Sequence, residues 1–169
     1  MAKWLDIKGP VVADTVYADK TLVAKDVAFT LPAIEFMTAD MQAMGNMSVP
    51  LIGLLENMEL SITKIGIDSG LSRLNRLEKQ NIEFRWVQNV VKADGSEAVE
   101  GCKAFVRTMP GSFPEIGVEI GSATENEITY NVTRMQIYMG GKEVILVDRL
   151  NQILKVNGKD YMKQVSNLL

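Results

Sequence analysis

Tight-turn dipeptides punctuate this chain, and the residues between them alternate apolar with polar. Asp94-Gly95 separates Asn81–Val91, which carries Ile82, Phe84 and Trp86 on one side, from Val99–Met109. Gly140-Gly141 separates Ile128–Met139 from Lys142–Arg149. Both dipeptides supply the positive φ that two-residue hairpins require. A period of two sends successive side chains to opposite faces, so these runs read as antiparallel strands. Val11–Val16 and Leu22–Phe29, divided by Ala18-Asp19-Lys20, read the same way, as do Glu115–Gly121 and Ile153–Val156. Pro110, Gly111 and Pro114 interrupt the pattern.

Two segments read as helix. In Asp68–Gln80, Asp68 or Ser69 is placed to cap, and Leu71, Leu74 and Leu77 recur on one face. Arg73, Arg76 and Lys79 form a basic flank, either simply solvated or a partner contact. Lys159–Leu169 reads as a short terminal helix. The expected class is all-β: a sandwich or barrel with one internal helix and a short C-terminal helix, in a single domain over 1–169.

Residues 33–67 look like a long extended arm. Leu31-Pro32 biases the chain toward extension. In Ala33–Gln42, Ile34 and Phe36 point one way, while Met37 and Met41 point the other. Apolar residues on both faces suggest a strand covered on both sides, which a neighbouring subunit could do. Met44–Gly53 reads as a Gly- and Pro-punctuated tip, and Leu54–Ile67 as the returning strand, with Met58, Leu60 and Ile62 inward and Glu59, Ser61 and Thr63 outward. Met37, Met41, Met44 and Met47 fall in this arm; methionine fills irregular gaps, in a core or at an adaptable contact. The polar strand faces, including Glu83/Arg85, suit a solvated outer face or the wall of a water-filled channel.

Composition narrows the chemistry. The chain has no His and one Cys, which removes His-dependent triads, His-containing zinc sites and intrachain disulfides. No phosphate-loop or dinucleotide fingerprint is present, and no acidic loop has EF-hand spacing. A net charge of −3 does not suit a strongly basic nucleic-acid binder. The balance is −4 over residues 1–60, +2 over 61–110 and −1 over 111–169, which could help units associate in a fixed direction. No apolar run approaches the roughly 18 residues of a membrane span. No catalytic group, metal or cofactor is expected.

Three segments then carry a resemblance. They are Val27-Ala28-Phe29-Thr30-Leu31-Pro32; the tip from Gly45 to Gly53 with the strand after it; and Tyr138-Met139-Gly140-Gly141-Lys142-Glu143, followed by Asp148-Arg149-Leu150-Asn151 and Lys155-Val156-Asn157-Gly158-Lys159-Asp160. Their order and spacing resemble the major tail tube proteins of P2-like contractile-tailed phages and of R-type phage-tail-like bacteriocins, over nearly the whole chain from about Val11. Glu97–Ser122 matches less distinctly.

The resemblance implies a β-sandwich subunit that forms a hexameric ring with a continuous inner β-barrel. Rings stack into a hollow tube inside a contractile sheath, which drives the tube through a target envelope. The implied partners are the sheath, a tape-measure protein in the lumen, baseplate and tail terminator proteins, and DNA in transit in a phage. The implied location is a virion tail or similar particle made in the bacterial cytoplasm. On this reading Phe36, Met37, Met41, Met44, Met47, Pro50 and Leu51 are the expected subunit or ring interface. Glu59, Ser61, Thr63, Glu83 and Arg85 are expected to face the lumen, and Arg73, Arg76 and Lys79 to meet the sheath. A type VI secretion or non-contractile tail tube would share the fold; a small-ligand-binding β-barrel is the alternative of another class.

Overall fold

The computed structural model describes residues 5–169. β1 (Ile7–Ala18) turns at Asp19-Lys20 into β2 (Thr21–Lys25), and β3 (Ala28–Thr30) follows. β4 (Phe36–Gln42) and β5 (Asn46–Leu55) form a hairpin that precedes β6 (Glu59–Ile65) and helix α1 (Ser69–Leu74). The long strands β7 (Gln80–Val91) and β8 (Glu97–Pro110) lead through a strandless stretch to β9 (Glu125–Met139). β10 (Lys142–Asp148), β11 (Ile153–Val156), β12 (Lys159–Asp160) and α2 (Lys163–Ser166) complete the order.

The main sheet runs β12-β11-β10-β9-β8-β7-β1-β2, with β6 paired to the first half of β9 and β3 paired to β6. Every pairing is antiparallel, as short hairpin connections demand. Both residues of Asp19-Lys20, Gly140-Gly141 and Asn157-Gly158 have positive φ, the twist that lets two-residue turns join strands without splaying them. β4 and β5 make a separate two-stranded sheet.

One face of the main sheet carries the core, with Leu60, Ile62, Ile82, Phe84, Ile128 and Met135 all buried. The sheet curls around it. Phe29 on β3 brings its ring centroid within 4.5 Å of Phe84 and 5.7 Å of Trp86, although β3 and β7 are not neighbours in the sheet. α1 packs on β2 beside this core through buried Leu71 and Leu74. Its Gly70 lies so close to the Val23 carbonyl that any Cβ there would collide with it.

Five expectations need correction. Leu22–Phe29 is two strands, because Asp26 is left-handed (φ 52°) and turns the chain between them. The arm is not Ala33–Gln42 against Leu54–Ile67. β4 pairs with β5 around a tip at Met44-Gly45, both at positive φ, so most of Met44–Gly53 is strand rather than loop. Pro50 is tolerated there because β5 has one partner only, and β6 leaves the arm to join β9.

The helix expected over Asp68–Gln80 stops at Leu74. Asp68 caps its start by accepting from the Leu71 N–H, as the sequence suggests. Its end is fixed by Gln80, whose side-chain amide donates to the carbonyls of Leu74 and Arg76. Those acceptors are thus held by a buried amide, and Leu77 is left 63% exposed. Finally, Glu115–Gly121 forms no strand; Gly117 and Gly121 (φ 87°) break up its short apolar alternation. At the C-terminus, Asn157-Gly158 turns β11 into β12 and confines α2 to Lys163–Ser166.

Candidate assembly interface

The β4–β5 hairpin has one apolar and one polar face. Met41 pairs with Met47 and Ala39 with Val49, and Met37 lies on the same side. The opposite side carries the pairs Thr38–Pro50 and Asp40–Ser48. Apolar residues on both faces therefore occur only at the root, where Phe36 is half-buried against the chain's own core. Phe36 is thus a packing residue of the subunit. Met37, Met41 and Met47 are about half exposed, Met44 at the tip is fully so, Pro50 is exposed and Leu51 half-buried.

The root is anchored. The Glu56 N–H donates to the Glu35 carbonyl at 2.8 Å, and Arg149 Nη2 donates to the Leu55 carbonyl at 3.1 Å. Pairing jumps from Phe36–Leu55 to Thr38–Pro50, so Leu51–Leu54 bulges out of the ladder and exposes Ile52 and Leu54. Gly53 (φ 88°) leaves room for the Met162 side chain. Together with β10, β11 and α2 the bulge borders a groove of 550 Å³ whose wall includes Ile52, Leu54, Leu154 and Val165.

The sheet face turned away from the core is polar. Glu59, Ser61 and Thr63 on β6 lie opposite Asn131, Thr129 and Glu127 on β9, and the Ser61 hydroxyl donates to Glu127 Oε1 at 3.0 Å. Glu83 and Arg85 on β7 share this face, with β8 and β9 between them and β6. Arg85 Nε lies 2.5 Å from Glu83 Oε1, and its guanidinium sits 4.6 Å from the centre of the Tyr17 ring. The alternation of Glu59–Thr63 and Asn81–Val91 placed these side chains outward, as the structure has them.

The basic flank is not one helical stripe. Arg73 belongs to α1, half-buried, whereas Arg76 and Lys79 lie beyond the helix end. Arg76 pairs with Asp19 at 2.5 Å, and Lys79 is exposed.

Sequence reasoning missed two exposed apolar stretches. Ile7, Val11 and Val12 lie along β1, and β2 pairs only with Thr15–Ala18, which leaves the rest of that edge of β1 without a β2 partner. Phe113, Val118 and Ile120 stand exposed in the strandless segment after β8. Their signal was present as apolar residues, but it read as a strand. Cys102 is buried, and burial pushes its thiol up. Tyr130 is pushed well above the ordinary phenol range by burial, against the opposing effect of Arg76, and its hydroxyl donates to the Leu74 carbonyl. Among the described residues no three His, Cys, Asp or Glu side chains gather as a metal site. No described helix is long and apolar enough to cross a membrane.

Comparison with known proteins places this geometry. A solved chain from the extended-state sheath–tube complex of an extracellular contractile injection system, PVC, is similar over 77% of this chain and 90% of its own, at 17% identity and a TM-score of 0.52. A chain from the extended-state sheath/tube terminator assembly of PVC aligns over 76% and 95%, at 15% identity and a TM-score of 0.49. No curated protein matches the chain. The phage tail tube protein FII family matches residues 12–169, close to the full length, and the chain belongs to that family.

Proposed function

We propose that this tail tube subunit forms a homo-hexameric ring and that rings stack through the β4–β5 hairpin into a hollow tube. The hairpin's uncovered apolar face is the observation that carries the reading. Completing the burial of a half-exposed Met gains on the order of 1 kcal/mol, so Met37, Met41 and Met47 together supply only a few. Association costs roughly 4–15 kcal/mol, so one hairpin contact is too weak alone. A closed ring, where every copy gives and receives several contacts, overcomes that cost. Met37, Met41, Met44, Met47, Pro50 and Leu51 are the proposed contact residues.

Lateral pairing would also cover the free edge of β1, which otherwise invites aggregation. In the ring, the polar face bearing Glu59, Ser61, Thr63, Glu83 and Arg85 lines the lumen. Mixed charge around Glu59, Glu83 and Arg85 keeps DNA or a tape-measure protein from sticking there, while the basic concavity at Arg107 and Arg134 on the same face would hold phosphate unless a neighbouring copy fills it. By likeness to the PVC chain, whose complex pairs tube with sheath, a contractile sheath surrounds this tube, and Lys79 with Arg73 and Arg76 is its proposed contact. Terminator and baseplate proteins close the ends, and the particle is a phage tail or bacteriocin. The work is mechanical, with no catalytic step.

The test is Met47→Asp with Leu51→Asp, followed by light scattering and negative-stain microscopy. The variant should remain a folded monomer that forms no tube. Tubes at wild-type yield would remove the hairpin from the joint, and a compact wild-type monomer that takes up an apolar ligand would favour the ligand-binding barrel.

A further inference from the structure

A second feature of the polar sheet face is unbalanced. Arg107 on β8 and Arg134 on β9 are direct cross-strand partners, an arrangement in which like charges repel. They line a concavity of 540 Å³ with Lys20, Asn81, Gln136 and Tyr138, floored by Ile82, Phe105 and Val106. Its two acids are already engaged outside it, Asp19 with Arg76 and Glu83 with Arg85, each at 2.5 Å. Asp148 lies 3.8 Å from Arg134 Nε, but its oxygens also accept from the Leu150 and Asn151 N–H groups at 3.2 Å and from the Asn151 side chain at 2.8 Å. Arg107 Nε is buried without a hydrogen-bond partner, and neither Arg107 nor Lys20 has an ion pair among the described residues. The concavity therefore holds two adjacent guanidinium groups, and Arg107 has no carboxylate partner of its own among the described residues.

The chain contains a matching acceptor elsewhere. Between Arg107 and Arg134 the sequence has four Glu and no Lys or Arg. Two of them, Glu115 and Glu119, are exposed on the strandless segment, beside the unpartnered Phe113, Val118 and Ile120. No residue of 111–122 lines the concavity in its own chain. Acidic residues among apolar ones fit a positive rim over an apolar floor. We propose that Glu115 or Glu119 of one copy enters the Arg107–Arg134 concavity of another. Two different surfaces meet in this contact, so it is head-to-tail and propagates around a ring or along a tube. A carboxylate placed between the two guanidinium groups then relieves their repulsion and gives Arg107 an ion-pair partner, and the flanking apolar residues are covered. The inference rests on the self-assembly proposed above.

Charge reversal in the full-length protein tests it. Arg107→Glu alone, and Glu115→Arg with Glu119→Arg alone, should each lower the yield of sedimentable tube by about tenfold or more, as expected when an interfacial charge is set against its like. Combining them should restore most of it. Circular dichroism melts report folding, and Arg107→Gln replaces Arg107→Glu if the latter fails to fold, with loss of tube again expected. Independently, a zero-length carbodiimide applied to wild-type tubes should join Lys20, which lines the concavity, to Glu115 or Glu119 of another copy; those glutamates joined only to lysines outside the concavity would overturn the contact. Unchanged tube yield in the single reversals, or a combined variant as defective as either, overturns the contact while wild-type tubes keep the assembly reading. A cavity that binds inorganic phosphate in NMR titration, with no rescue on combination, also overturns it in favour of a small-anion site. If the wild type forms no ring or tube at all, the assembly reading fails first, and this inference with it.

Discussion

Gly70 shows how one absent side chain positions an element. A Cβ there would run into the Val23 carbonyl, which is backbone and cannot swing aside. Gly70→Ala should push α1 off β2 and cost about 1–3 kcal/mol, the usual penalty for overpacking, read by urea unfolding. An unchanged midpoint would mean that the helix is free to shift. The carboxylates make a pH prediction. Burial raises Asp148, but its hydrogen bonds from Asn151 and the Leu150 amide, with Arg134 nearby, outweigh this and hold it below the usual range. Asp19 is held down in the same balance, by the Asn81 N–H and Arg76 against burial, and Asp68 chiefly by Lys64 and the Leu71 N–H. Groups lowered on folding stabilise at every pH above their unfolded value, near 3.9, and lose that contribution as pH falls through the folded one. Stability should therefore hold from about pH 7 to 5 and drop below about 4, and Asp148→Asn should lose less on acidification while starting lower. Parallel acid loss in both proteins would contradict the role given to Asp148.

At the scale of elements, legibility followed how local each signal was. The β7–β8 and β9–β10 hairpins could be read because Asp94-Gly95 and Gly140-Gly141 state the turn and the flanking alternation states the faces. Met58, Leu60 and Ile62 were placed inward for the same reason, and all are buried. The arm misled because its true tip is Met44-Gly45, a pair with a weak turn signal, while Pro50 and Gly53 looked like breakers. The helix misled because Gln80, a residue of the next strand, holds its last carbonyl. Leu74→Ala should therefore cost about 2–5 kcal/mol, and Leu77→Ser should stay within about 0.5 kcal/mol, in chemical denaturation. Comparable losses would restore the longer helix. The proposed contact residues of the arm, Met41 and Met47, give the complementary pattern. Met41→Ser/Met47→Ser should leave monomer stability within about 1 kcal/mol, since both are half exposed, yet prevent assembly. A large loss of monomer stability would make them core filler instead.

For the whole molecule, the all-β class followed from alternation and turn dipeptides and the family from the order and spacing of three segments, and both stand. The surface that meets other copies was harder to read. Strand alternation says which side chains leave the core but not whether water, a lumen or a neighbour receives them. In the proposed ring, the exposed apolar residues on β1, on the hairpin and after β8 are what neighbouring copies would cover. A cryo-electron microscopy reconstruction of the protein assembled alone decides whether the chain stacks as rings into a tube. The expected result is a hollow tube of six-fold rings, with Glu59, Ser61 and Thr63 turned to the lumen and the β4–β5 hairpin crossing between rings. Monomers at every concentration, or a tube with that polar face outward, would contradict it.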